Sequence, residues 1–347
     1  MATHRVQVIT SDGVPVHFDC DSSQTLLEGA AAQELGLPFQ CGKGGCGACY
    51  AVAEGSYELG EHSREALPPK LAERGGVLLC RTYPRGPLVI RAAFRSSAIT
   101  QGAVPERKAR IVELTRPAAQ VVRLCLQLEP DESGSAVADF IPGQFIDIAV
   151  PGSDAWRSYS LANTTNWDGT LELWIRLQEG GLCSAYLRER AALGQHLTVR
   201  GPRGSFALDE SSLHPRWFVA GGTGLSPLLS MLRHMAELGD TSDCRLYFGV
   251  NREPDLFALE ELEALARALP TLKYEVCVWQ PEASFRGFHG TPADAMKRDL
   301  QTLQQQSAML PDVYVCGPPA LVRLIESAAR DAGIDDAHLH VERFLPA

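Results

Sequence analysis

Apolar and polar positions follow three different rhythms along the 347 residues. Residues 4–10 and 14–19 alternate with a period of two around Asp12-Gly13, which predicts a β-hairpin. Residues 25–35 switch to helical spacing behind a Ser/Thr cluster able to cap a helix, and Gly36 stands where a C-terminal cap belongs. Short apolar runs follow at residues 50–53, 77–79 and 88–92. Hairpin, helix and short strands together predict a β-grasp domain over residues 1–98.

Residues 95–106 show no periodicity and carry Ser, Gly and Pro, so a linker is expected, bounded here as 99–106. A second rhythm begins at Arg107. Strands predicted at residues 109–114, 121–128, 144–150 and 171–177 recur at the intervals of an antiparallel β-barrel, filling 107–210. After a polar break at 209–215 the third rhythm alternates apolar strands (217–220, 244–250, 272–279, 313–316, 338–342) with helices (from Pro227, 256–268, 292–304, 320–331). That alternation predicts a doubly wound α/β domain over 211–347, its parallel sheet taking ligands at the carboxyl ends of the strands.

Composition narrows the function classes. At 45% hydrophobic, 347 residues exceed one ordinary core, in keeping with several domains. The net charge of −10 argues against a nucleic-acid partner. Residues 1–10 lack an apolar core segment of a signal peptide, and no apolar run reaches spanning length. Neither export nor membrane insertion is expected, and a cytoplasmic location follows.

Chemistry concentrates first in Cys41-Gly42-Lys43-Gly44-Gly45-Cys46-Gly47-Ala48-Cys49. Three thiols stand in C-x4-C-x2-C spacing on a loop of small residues, and Cys80 supplies a fourth. Such spacing suits a 2Fe–2S cluster, because glycines let backbone amides approach the sulfurs. A structural zinc site would favour two C-x2-4-C pairs, and only one is present. Cys41, Cys46, Cys49 and Cys80 are therefore the expected metal ligands. Lys43, Lys70, Arg74, Arg81 and Arg85 supply local positive patches around them.

In the predicted barrel, Arg157-Ser158-Tyr159-Ser160 offers a planar cationic fork for a diphosphate, a flat ring for an isoalloxazine and a hydroxyl for its polar edge. Gly180-Gly181 precede a helix opening near Ser184, whose amides suit the same diphosphate. Pro142–Phe145 and Gly201–Phe206 complete an ordered set that points to flavin. In the α/β region, Gly221-Gly222-Thr223-Gly224-Leu225-Ser226-Pro227 is a glycine-rich strand-to-helix turn. It is not G-x-G-x-x-G, since Pro227 occupies the third glycine's place, and it lacks the Lys-Ser/Thr of a phosphate-binding P-loop. It still suits a pyrophosphate or nicotinamide lying against backbone. A second loop, Cys316-Gly317-Pro318-Pro319, sits at the same end of the sheet, where Cys316 is placed to reach a reacting ring or simply to fill core.

Taken in order, these motifs resemble the reductase components of soluble methane monooxygenase and related multicomponent bacterial oxygenases, in which a plant-type ferredoxin is fused to a ferredoxin-NADP-reductase-like module. The resemblance covers nearly the whole chain. It is carried also by Leu78-Leu79-Cys80-Arg81-Thr82-Tyr83-Pro84, Tyr247-Phe248-Gly249-Val250-Asn251 and Phe344-Leu345-Pro346. It implies FAD on the Arg157–Ser160 motif, nicotinamide over Gly222–Pro227 and Cys316, and Phe344 beside the flavin. Hydride transfer needs positioning more than a side-chain acid or base, so Tyr159, Ser160, Cys316 and Phe344 are the expected catalytic positions.

NADH is the implied donor, with Glu253 or Asp255 accepting ribose hydroxyls, although Arg252 nearby suits the 2′-phosphate of NADPH. The implied function is transfer of electrons from NADH through FAD and the cluster to an oxygenase, specifically a di-iron hydroxylase. Two other readings remain open. One is the reductase of a ring-hydroxylating dioxygenase; the other is an iron–sulfur redox sensor or carrier.

Overall fold

The computed structural model describes residues 2–102 and 104–344. Its contacts divide the chain into two compact units, one running to Pro105 and taking in Arg203–Ser205, the other formed by the rest of the chain from Glu106. The predicted linker is partly structured. Thr100–Gln101 is a short strand pairing antiparallel with Leu35–Gly36 inside the first unit.

In that unit the hairpin Thr3–Ile9 and Pro15–Asp21 forms as the alternation requires, and Thr3–Ile9 then pairs parallel with Thr82–Ala92. Tyr50–Leu59 and Gly76–Leu78 complete a five-stranded mixed sheet. The helix is shorter than its spacing suggests. It spans Leu26–Ala31, opened by a capping box in which Thr25 and Glu28 satisfy each other's backbone N–H. Glu34, rather than Gly36, takes the positive φ of 59° after it, and Leu35–Gly36 leave as a strand. Val6, Val8, Phe18, Leu26, Leu88 and Ile90 form a core between sheet and helix.

The second unit holds two layered halves. Its antiparallel half has six strands in the order Trp156–Ser160, Phe145–Ala149, His196–Arg203, Glu106–Ala118, Val121–Leu128, Thr170–Arg176. Leu161, just past one edge strand, makes an isolated bridge to Leu173 on the other, so the expected barrel is an open six-stranded sheet without a closing ladder. Apolar side chains of alternate positions, Val122, Leu124, Leu126, Leu171, Leu173 and Ile175 among them, fill its interior.

The α/β half has six parallel strands, in the order Phe288–His289, Leu272–Val278, Cys244–Val250, Arg216–Gly221, Asp312–Gly317, Leu339–Arg343. Near-continuous apolar strands reflect burial on both faces. Trp217 and Val219 pack on one side, Phe218 and Ala220 on the other. The chain order reverses between Arg216–Gly221 and Asp312–Gly317, which opens a crevice beyond their carboxyl ends. No helix among the described residues is long and apolar enough to cross a membrane.

A buried carboxylate joins the two halves. Glu172 accepts from Trp174 Nε1 at 2.9 Å, Arg123 Nε at 3.2 Å and Arg233 Nη1 at 2.8 Å. Arg233, on the helix Leu225–Glu237, also donates to Ala162 O at 2.8 Å, and Ser230 donates to Asn163 O at 2.6 Å. Against the burial that would raise it, the two guanidiniums hold the Glu172 carboxyl below its usual value. Removing one partner of such a group strands the others. Glu172→Ala is therefore expected to lower stability by about 3 kcal/mol. Denaturant unfolding followed by tryptophan fluorescence checks this, and a variant as stable as the parent refutes the role.

Candidate functional site

In the first unit, the cysteine loop is held against the chain that delivers Cys80. Leu79 N–H donates to Cys49 O at 3.0 Å, and the Cys49 and Cys80 sulfurs lie 3.3 Å apart. The backbone amides of Lys43 and Gly45 point at Cys41 Sγ from 3.3 and 3.4 Å. Close hydrogen bonding from Cys46 and Cys80 draws the Cys41 thiol well below its ordinary value, while the same contacts push Cys46 and Cys80 up. Cys49 is likewise lowered by Cys80. Crowded thiols that share protons in this way are the donor set an iron–sulfur group replaces.

The loop's path demands glycine at position 44. Its φ is +73°, and a Cβ there would sit 2.7 Å from Arg81 Cγ and 3.1 Å from Glu61 O. Cys46, Cys49 and Cys80 are buried and Cys41 is half-buried, so the loop brings one sulfur toward solvent. Two of the positive residues are already engaged: Arg85 pairs with Glu58, and Arg81 Nε donates to Glu61 O at 2.8 Å.

In the second unit, Arg157, Ser158, Tyr159 and Ser160 occupy the edge strand Trp156–Ser160. Ser158 Oγ is bound to Asp147 Oδ1 at 2.6 Å. Tyr159 packs its ring against the barrel core, and burial together with the neighbouring Cys183 pushes its hydroxyl up. The Arg157 charge reaches both Tyr159 and Cys183, so fork, ring and helix start are gathered at one spot. Gly180, at φ +71°, has open space where a Cβ would stand, and Gly181 caps the helix Leu182–Glu189. Ser184 departs from expectation. Its hydroxyl faces inward and accepts the Gln178 N–H at 2.8 Å, while the Gly181 N–H turns back to Gln178 O at 3.4 Å, so that Gly180 is the exposed backbone of this turn.

The glycine-rich turn and the Cys316 loop lie side by side because neither carries side chains at the contact. A Cβ on Gly224 would come within 2.2 Å of Cys316 O, and Gly317, at φ +156°, lies 3.1 Å from Gly221 backbone by the same measure. Gly222 adopts φ +55° with nothing within 4 Å, so its face is open. Thr223 and Pro227 are buried at the start of the helix Leu225–Glu237; Thr223 also reaches the opening, whereas Pro227 only positions the helix.

A cleft of about 800 Å³ lies at these strand ends. Gly221, Gly222, Thr223, Arg252, Asp255 and Pro318 are among its walls, with Trp279 at one side. Asp255 lies 3.7 Å from Arg252 Nε. Glu253 does not line the cleft, because its carboxylate accepts the Glu282 N–H at 2.7 Å.

Ser160 and Cys316 converge on a residue that sequence reasoning passed over. Glu342 is hydrogen-bonded by Ser160 Oγ at 3.3 Å and by Cys316 Sγ at 3.5 Å, from strands paired in parallel with Cys316 opposite Glu342. The signal was the single carboxylate of the last strand, Leu339–Arg343. Burial pushes this carboxyl up to about 7 and raises the Cys316 thiol far above its ordinary value, so Cys316 is not a reactive thiolate. Phe344 packs against the same core, with its N–H bound to Gly317 O at 2.9 Å. Leu345 and Pro346, quoted above with Phe344, lie outside the described residues.

Comparison with known proteins agrees with this distribution. Residues 9–85 match the 2Fe-2S iron-sulfur cluster binding domain, 108–208 the oxidoreductase FAD-binding domain and 218–327 the oxidoreductase NAD-binding domain. The chain is thus an oxidoreductase with iron–sulfur, FAD and NAD domains. It belongs to the family of oxygenase electron transfer components. It is 34% identical over 345 residues to the toluate 1,2-dioxygenase electron transfer component of Pseudomonas putida, covering 99% of this chain and 98% of that protein. It is 38% identical over 273 residues to methane monooxygenase component C of Methylosinus trichosporium, covering 78% and 80%. Among solved structures, the Amycolatopsis cytochrome P450 reductase superposes with a TM-score of 0.76 at 28% identity over 98% of this chain and 99% of that one.

A carboxyl whose folded-state value is raised holds its proton more tightly in the native protein. Stability is then lost as pH rises from the ordinary carboxylate value of 4.5 toward about 7. Glu342→Gln removes that loss, expected at up to about 1.4 kcal/mol per pH unit in the window. Thermal melts at about pH 5 and about pH 8 should diverge less in the variant than in the parent. Equal divergence would show that Glu342 does not titrate there.

Proposed function

We propose that this chain is the NADH-dependent reductase component of a multicomponent monooxygenase, supplying a di-iron hydroxylase of the methane or alkane type. The observation that carries the relay is that one chain gathers three thiols of a glycine loop with Cys80 and, separately, holds both an arginine–tyrosine–serine edge strand and a nucleotide-sized cleft. The 38% identity to methane monooxygenase component C supports the choice of partner. Residues 1–98 form the ferredoxin domain, 107–210 the FAD domain and 211–347 the NAD domain in this reading.

Bound FAD would take electrons in pairs from the nicotinamide and release them singly to the cluster. Cys41, Cys46, Cys49 and Cys80 hold the cluster, with the amides of Lys43 and Gly45 stabilising the charge on Cys41. Arg157 would pair with the flavin diphosphate, and the backbone at Gly180 and at the start of the helix Leu182–Glu189 would add donors. Gly221, Gly222, Gly317 and Pro318 admit the dinucleotide close to backbone, Asp255 accepts ribose hydroxyls, and Phe344 covers the ring site. Ser160 and Cys316 both donate to Glu342 beside it. Asp255, beside Arg252, favours NADH over NADPH by setting a carboxylate where a 2′-phosphate would lie.

A second reading, the reductase of a ring-hydroxylating dioxygenase, is favoured by the full-length match to the toluate enzyme's component. Purified protein mixed with a di-iron hydroxylase or with a dioxygenase terminal component, each with NADH and substrate, separates the two. Product formation with the hydroxylase is expected; turnover only with the dioxygenase overturns the choice.

Cys46→Ser should bleach the cluster's visible bands and abolish oxygenase turnover while NADH oxidation by ferricyanide persists, since that small acceptor reaches flavin directly. Retained iron and turnover would refute the ligand set. Asp255→Ala should lower kcat/KM for NADH roughly tenfold or more, because a hydrogen bond to a charged group contributes about 1.5–3 kcal/mol. Steady-state kinetics with both nucleotides check this, and an unchanged NADH to NADPH ratio removes Asp255 from the specificity site.

A further inference from the structure

At the opposite end of the parallel sheet from the cleft, three strands begin at residues that converge. His214 precedes Arg216–Gly221, Asp312 opens Asp312–Gly317, and His338 precedes Leu339–Arg343. Each offers a ligand atom, and these atoms lie within 4.8 Å of one another. The two imidazole rings are tilted face to face with centroids 4.3 Å apart. Asp312 is 1% exposed, and its Oδ1 is bound to His338 Nδ1 at 2.6 Å. Its second oxygen, Oδ2, is buried with no hydrogen-bond partner. An orphaned buried carboxylate oxygen is costly, so something beyond the protein is needed to satisfy it.

We propose that His214, Asp312 and His338 form a divalent transition-metal site, of the zinc class, built from two imidazoles and one carboxylate. The His214 ring is already oriented for this role. Its Nδ1 is 2.7 Å from Leu310 O, a carbonyl that can only accept, so the ring donates there and Nε2 is the nitrogen left for a metal, the arrangement by which backbone carbonyls commonly fix metal-binding histidines. Charge favours a cation. Asp209, Asp240 and Asp312 outnumber the one guanidinium among them, Arg216, which lies across the ladder from Asp312 and donates from Nη1 to Asp240 and from Nη2 to Asp209 O, its Nε having no partner. His214 and His338 are half-buried, so solvent can complete a tetrahedron of three protein ligands and one water.

The site stands apart from the redox chemistry. Asp312 opens the strand Asp312–Gly317 and Cys316 lies four residues along it, about 13 Å away at the rise of an extended chain. Its work is mechanical: the metal ties the starts of three strands to the segment that leads out of the antiparallel half. An ion pair between His338 and Asp312 alone would need neither His214 nor a free Oδ2.

The test uses the holoprotein, with iron and flavin quantified so that the cysteine loop is filled, freed of adventitious metal by chelator dialysis. Zinc chloride is then titrated and retained zinc measured by mass spectrometry after gel filtration. One zinc per chain is expected. His214→Gln and His338→Gln should each weaken it at least about tenfold, in line with the loss of a metal-binding contact, with iron, flavin and ferricyanide activity unchanged. In the parent protein, zinc should also slow diethyl pyrocarbonate modification of His214 and His338, read by peptide mass, which needs no variant to fold. No bound zinc in the parent, or equal zinc in the variants, or unprotected histidines, overturns the proposal.

Discussion

The geometry of the second unit depends on one buried carboxylate. Glu172 sits on the edge strand Thr170–Arg176 of the antiparallel half, 7% exposed, and collects Arg123 from its own sheet and Arg233 from the first helix of the α/β half. Two guanidiniums and an indole satisfy it, so the cost of burying the charge is offset only while both halves stay in place. Trp174, two residues on, stacks on Phe257 at 5.2 Å, which extends the joint with apolar contact. The helix Leu225–Glu237 is thereby fixed at both ends of its function. Its body is anchored to the antiparallel half, and its start carries the Gly221–Gly224 turn.

Strand register then does the finer positioning. Cys316 faces Ala220 on one side and Glu342 on the other in successive parallel ladders. Only backbone-scale clearance at Gly224 and Gly317 lets the two loops beyond these residues lie against each other. A side chain at either position would part the loops and pull Cys316 and Glu342 away from Ser160. Glu342 thus reaches the edge strand Trp156–Ser160 through a constraint set several residues away, in the two glycine turns.

Local signals explain what the sequence made legible. The cysteine loop, the hairpin and the β/α alternation each depend on residues near one another in the chain, and the cluster loop's spacing survives intact in the fold. Glu342, Glu172 and the His214–Asp312–His338 group were hidden because each needs the register of strands far apart in sequence. Their trace was faint but physical: a charged residue inside an apolar strand, as in Leu171-Glu172-Leu173-Trp174 and Val341-Glu342-Arg343. The helix after Thr25 was read too long because Gly36 looked like a cap, whereas Glu34 turned the chain first. Ser184 and Glu253 had the right chemistry at plausible positions, but each hydroxyl or carboxylate was already spent on a nearby backbone amide. Spacing cannot reveal such local competition.

Burial divides the chemistry between the units. Among the described residues of the first unit, the buried polar side chains are Thr10, Thr25 and Thr82, and the buried titratable groups are thiols. In the second unit Asp147, Glu172, Arg216, Asp312 and Glu342 are all buried. A thiol is tolerated in an apolar core as a small hydrophobe, so the first unit can surround its donor atoms with packing alone. A carboxylate is tolerated only with partners, so the second unit must build networks, and networks fix relative positions of distant strands. This matches the two tasks. A one-electron carrier needs four soft ligands and an approachable loop, whereas aligning a dinucleotide against a flavin needs two halves held in register. Acid or base should therefore disturb the second unit first, and oxidants the first.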